Sequence, residues 1–184
     1  MKMINLLPVI LVPSVILLIP AAMMGFRVEG WAWSPADFVV MWMLIAGALL
    51  AYQVIAAKAG SVAYRVAVGV AVATGFVLVW VNGAVGLIGS ENNPANVLYF
   101  GVLLLGGIGA AIARLTPAGM ARTLYSVALA QFLVPVIALL VWPGDFSPGV
   151  PQVFGLNSFF VLWFVVSGIL FQHAAKVSPS SRPA

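Results

Sequence analysis

The sequence contains no cysteine. Disulfides, thiolate metal sites, iron–sulfur clusters and cysteine nucleophiles are excluded, and the redox compartment is left open. Charge is almost as scarce, with eight Lys or Arg and four Asp or Glu among 184 residues. That is 7% of the chain, against roughly 25% in a soluble domain. So few charges cannot cover a water-exposed surface, and lipid must be the solvent for most of this one. There is one histidine, His173, which cannot supply bis-histidine haem ligation or a multi-histidine zinc site. No haem, zinc or other cofactor is expected, and His173 reads as an interfacial residue near a helix C-terminus, with a general-base role as the alternative. No ionisable side chain stands at the middle of any apolar block. That disfavours proton-coupled transport and leaves open sodium coupling through carbonyls and hydroxyls.

What the chain does have is hydrophobic residues, 64% of the total, in blocks long enough to cross a hydrocarbon core at roughly 20 helical residues each. Runs such as 38–51 and 97–113 are apolar on every face, unlike the alternating segments of a barrel. Helices satisfy their own backbone in lipid. The predicted fold class is therefore all-α, a polytopic transmembrane bundle with helices near 4–25, 36–57, 66–88, 96–113, 121–142 and 157–175. These form one domain over 1–175, and the polar residues 176–184 form a disordered tail. Ser34, Pro35 and Asp37 read as cap, first turn and capping-box partner of the second helix, which Gly60 closes. Asn93 caps the fourth helix with Pro94 at its first position, Pro117 and Gly119 lie just beyond its end, and Asn157 caps the sixth.

Lys2 and the apolar stretch after it have the look of a secretory signal, but Pro20, Ala21 and Ala22 give no clean small-x-small cleavage site. The reading is an uncleaved first helix. The turns at Ala59-Gly60 and Ala118-Gly119 are alike, and helices two–three and four–five could be a faint parallel repeat.

Net charge is +4, yet the basic residues stand singly between apolar blocks. They read as topology signals and not as a nucleic-acid stripe. With the N-terminus in the cytoplasm, Lys2, Lys58, Arg65, Arg114, Arg122, Lys176 and Arg182 fall inside and only Arg27 outside, seven of the eight. Both termini are then cytoplasmic, in a bacterial-type inner membrane.

Asp37, Glu91 and Asp145 fall on three outer connections and could converge for a cation or for acid–base work; helix starts and a turn explain them equally. Trp31, Trp33 and Trp142 fit an aromatic belt, whereas Trp42, Trp80 and Trp163 lie deeper. These last three read as lipid-facing packing, as lining for an outward pocket, or as a surface for another subunit. Asn82 and Gln131 are expected to face the bundle interior, and Gln131 stands four residues before Pro135, whose missing amide frees a carbonyl. Small residues line two helices, Gly106, Ala110 and Ala113 on one and Ala67, Ala71, Gly75, Asn82 and Gly86 on the other, and such stripes let helices approach closely in lipid.

The segment 80–99, WVNGAVGLIGSENNPANVLY, is the least generic in the chain. It resembles a family of small bacterial membrane proteins that share an asparagine-rich turn of this kind. The resemblance implies membrane location and carries no activity with it. Read as residues, Asn92, Asn93 and Asn96 can satisfy exposed amides at the start of the fourth helix.

Three functional classes remain. A non-enzymatic component or accessory subunit, partnered by the bilayer and by another subunit or a second copy, fits the short loops and small-residue faces. A transporter or channel for a small or apolar solute fits the proline-interrupted helices and the aromatic residues. A membrane enzyme would work through the outer carboxylates.

Overall fold

The computed structural model describes residues 4–177, except for the side chain of Asp145. Among these residues every regular element is helical and none is a strand. Six helical segments are long and apolar enough to cross a membrane. Their large side chains point outward in numbers no soluble fold tolerates: Leu104, Ile112, Leu140 and Leu162 are all exposed. The chain is an all-α, multi-pass membrane protein. Its contacts group into two compact units that divide between Ala57 and Lys58.

The first unit contains α1 (Leu6–Ile16), α2 (Leu18–Gly25) and α3 (Pro35–Ala56). α1 and α2 are nearly continuous, and the break between them falls at Leu17. Pro20 has no amide to give the carbonyl of Ile16, so the helical ladder lapses there. α3 starts as its sequence directs: the Ser34 hydroxyl accepts from the Asp37 amide, and the Asp37 carboxylate accepts from the Ser34 amide at 2.7 Å. It ends at Ala56 with Ala57 in ordinary right-handed conformation, and Gly60 does not adopt a positive φ. Gly60 is therefore not the glycine cap expected of it. α1 and α3 run antiparallel, clamped at one end by Gln53, which accepts from the Asn5 amide at 2.9 Å and donates to the Asn5 carbonyl at 3.0 Å.

The second unit contains α4 (Val62–Ala84), α5 (Leu98–Ile112), α6 (Pro117–Val141) and α7 (Val150–Val177). α7 packs on both α4 and α6, and α5 packs mainly on α6. α4 begins four residues earlier than expected because Ser61 caps it, accepting from the Tyr64 amide at 3.2 Å. Pro117 and Gly119 lie beyond the end of α5 as expected, but α6 has already begun there, four residues early. They sit in the first turn of α6, where a missing proline amide is harmless. α7 likewise starts at Val150, with Pro151 in its first turn, so Asn157 is an interior residue and not a cap. Its last residues, Lys176 and Val177, are helical, and the rest of the expected tail lies outside the described residues.

Close helix approach in this unit depends on glycine. A Cβ at Gly109 would stand 2.5 Å from Thr123, and one at Gly168 would stand 2.8 Å from the ring of Tyr125. In lipid, where burying apolar surface earns nothing between helices, such contacts and interhelical hydrogen bonds hold the bundle. At the end where α4 begins, Tyr64 supplies one of each. Its ring meets Phe171 edge-on at 5.0 Å, and its hydroxyl donates to the Leu115 carbonyl at 2.7 Å. That carbonyl belongs to the α5–α6 turn, where Arg114 and Leu115 hold left-handed φ values of 49° and 58°. Tyr64→Phe keeps the ring and removes only this bond, so unfolding in detergent should be easier by about 0.5–2 kcal/mol. An unchanged unfolding midpoint would mean that the turn holds itself.

Candidate functional site

The buried polar groups of the second unit are the place to look for chemistry, because each must find a partner inside the protein. Asn157, on α7, is fully buried. Its Nδ2 donates to the Val153 carbonyl one turn back at 2.8 Å, which fixes its Oδ1 as an acceptor. That oxygen takes the Tyr99 hydroxyl of α5 at 2.8 Å and the Gln131 Nε2 of α6 at 3.0 Å. Three helices meet on one atom. Gln131 is itself fully buried, and its Oε1 receives no hydrogen bond. Pro135 also denies the Gln131 backbone carbonyl its helical partner.

A second cluster closes the end of the unit where α4 finishes. Asn96 lies in the 3-10 turn Pro94–Val97 that leads into α5. Its Oδ1 accepts from the amides of Leu87 at 3.2 Å and Ile88 at 3.1 Å. Its Nδ2 donates to the carbonyls of Ile88 at 3.1 Å and Ser90 at 2.7 Å. One side chain thus does for the connection 85–93 what a sheet neighbour would do, and lets Leu87 and Ile88 be buried with their backbone. Gly86 makes the turn, with φ +74° and no room for a Cβ, which would lie 2.5 Å from the Ser90 backbone. The Gly89 amide then donates to the Ser147 carbonyl at 2.9 Å, joining this connection to the one after α6. Asn82 donates from Nδ2 to the Asn96 carbonyl at 3.1 Å, and its Oδ1 has no donor.

Both clusters are built from neutral amides, a phenol and backbone. They offer hydrogen-bond acceptors, not an acid–base pair. Among the described residues no three His, Cys, Asp or Glu side chains gather as a metal would require. Asp37 is engaged in its capping box, and Glu91 accepts from the neighbouring Asn92 at 3.1 Å. The Asp145 side chain lies outside the described residues. Asn93 caps as expected, accepting from the Ala95 amide at 2.9 Å, whereas Asn96 serves the connection 85–93 and Asn92 serves Glu91.

The deeper tryptophans go to different places. Trp42 donates to the Ser14 hydroxyl at 3.1 Å inside the first unit, beside a shallow hollow formed with Leu17, Phe38 and Val39. Trp80 is half exposed against Phe76, and Trp163 is half exposed against Phe159. Asn82 is buried where Trp80 is not, which gives the rotation of α4. Asn96, Tyr99 and Asn157 were not expected to hold the network. A signal existed for Asn157: it shares a face with Phe160, Phe164, Ser167 and Phe171, all buried, at helical spacing.

The chain matches no family model, no curated protein and no solved structure. Its chemistry has to be read from these contacts. Asn157→Leu leaves both the Tyr99 hydroxyl and the Gln131 amide without a partner, and should cost about 2–4 kcal/mol. Asn82→Leu removes one bond and should cost about 0.5–2 kcal/mol. Chemical unfolding of the two variants in the same detergent checks the order, and equal costs would contradict the central place given to Asn157.

Proposed function

We propose that this chain is a non-catalytic component of a bacterial inner membrane, acting as an accessory subunit beside another membrane protein. The observation that carries the reading is the Asn157 oxygen shared by Tyr99 and Gln131. Apart from the Asn82 Oδ1 and the Gln131 Oε1, the polar side chains buried in the second unit are engaged with one another or with backbone, which suits a scaffold better than a path for solute. Contact with a partner has room on the first unit, where only Ile45 and Ala46 of α3 are buried. The asparagine-rich segment 80–99 agrees with this reading, since its side chains shape a connection and leave no buried polar side-chain atom without a partner but the Asn82 Oδ1.

A second reading, transport of a small polar solute, draws on that oxygen and on the Gln131 Oε1, two buried acceptors with no donor. Purification in mild detergent followed by mass spectrometry separates the two. The subunit reading expects a stoichiometric membrane partner. A lone chain that moves solute in vesicles, and loses this on Asn82→Ala without unfolding, would replace it.

Orientation is part of the same proposal. Lys58, Arg65, Arg114, Arg122 and Lys176 belong to one end of the second unit, where α4 and α6 begin and α5 and α7 finish, and Glu91 belongs to the other. The basic end faces the cytoplasm by the positive-inside rule. A reporter active only in the periplasm should be silent when fused after the last residue and active when fused after Asn92. Reversed signals would turn the protein over.

A further inference from the structure

At the basic end of the second unit a groove of about 470 Å³ opens between α5 and α6. Its floor is the tight contact of Gly109 with Thr123. One wall is apolar, formed by Leu105 and Ile112 of α5, and the other carries Arg122 and Ser126 of α6. The guanidinium of Arg122 is exposed and has no carboxylate or hydrogen-bond acceptor among the described residues. The same end of the unit carries further cations but no described acidic side chain, with Arg114 in the adjoining α5–α6 turn. The charge therefore calls for an anion from outside the chain.

The shape says which kind. From the level of Ala113 back to Leu105 the apolar wall runs about 12 Å into the span at 1.5 Å per residue. A soluble anion would use the mouth alone and leave that wall uncovered. An amphipathic anion uses both parts, because Arg122, in the second turn of α6, sets a positive charge beside an apolar wall that continues past it to Leu105. Arginine suits a phosphate better than lysine would, since its planar fork pairs with two oxygens at once.

We propose that this groove holds one anionic phospholipid, with its phosphate on Arg122 and an acyl chain along Leu105 and Ile112. The assignment rests on membrane insertion alone and not on the subunit role. The groove is thus a lipid site of fixed geometry, distinct from the non-specific lipid contact of the outer faces.

Native mass spectrometry of the full chain in mild detergent, titrated with phosphatidylglycerol or phosphatidylcholine, tests it. One phosphatidylglycerol should be retained in preference to phosphatidylcholine. Arg122→Gln should weaken this retention about fivefold, as expected for one basic contact at a membrane surface. Ser126→Phe, at an exposed position, should weaken it too by filling the groove beside the acyl chain. Arg65→Gln, on α4 and away from the groove, should leave it unchanged. Helical circular dichroism and the melting temperature verify that each variant is folded. Equal retention of the two lipids, or retention unchanged in either groove variant, would overturn the assignment. Displacement of the lipid by excess inorganic phosphate would overturn it as well, by showing an anion site with no place for the chain.

Discussion

A carboxamide oxygen in hydrocarbon has no water to fall back on, and the position of Asn157 follows from that constraint. Its Oδ1 draws a phenol from α5 and an amide from α6 onto α7, so the three helices can adopt only those rotations that aim Tyr99 and Gln131 at it. α4 is tied in by the same logic further along, where the buried Ser167 hydroxyl of α7 donates to the Ala67 carbonyl at 2.8 Å. α7 becomes the hub of the second unit, with Phe160, Phe164 and Phe171 filling the space between its polar contacts. Glycines at 109 and 168 make these short bonds reachable by letting the backbones come close.

The two ends of this unit are finished in different ways, and the difference bears on function. At the Asn96 end a connection of nine residues is folded inward and four of its backbone groups are satisfied by one side chain. At the Tyr64 end the α5–α6 turn is tight and left-handed, held by its own backbone bonds and by the hydroxyls of Thr116 and Tyr64. The inward fold brings Leu87 and Ile88 into the protein and leaves little at that end for a solute to enter. The other end carries the cations and an open groove. The lipid proposed for the α5–α6 groove would therefore be met at this second end.

Helix number and approximate bounds were legible because a span needs length and continuous apolarity, and both are written in one dimension. Helix rotation was mostly illegible, and the reason is the solvent. When lipid and protein interior are equally apolar, hydrophobic periodicity fades, and only polar residues mark the inner face. Asn82 and Gln131 were readable on that ground, as was the outward turn of Trp80. Asn157 was misplaced because an asparagine after a run of prolines has the look of a cap. Pro151 is in fact compatible with the first turn of α7, so the helix had already begun. The partnership of Tyr99 with Asn157 spans 58 residues and no local signal announces it.

The two unpartnered oxygens fit this account once each amide is considered as a whole. Asn82 and Gln131 both use the NH₂ group to bridge to another element, and in both the oxygen on the same carbon is left over. A buried acceptor without a donor costs about 1–3 kcal/mol. Serine would donate without an idle oxygen, but its short hydroxyl crosses only where two backbones lie close, as Ser167 does to Ala67, and otherwise turns back to the carbonyl one turn earlier, as Ser158 does to Phe154 at 2.7 Å. Lysine would reach and donate, but at the far larger cost of a buried charge. A neutral donor with reach leaves few choices besides the amides. The idle oxygens are then a consequence of bridging helices in lipid, and need no substrate to explain them.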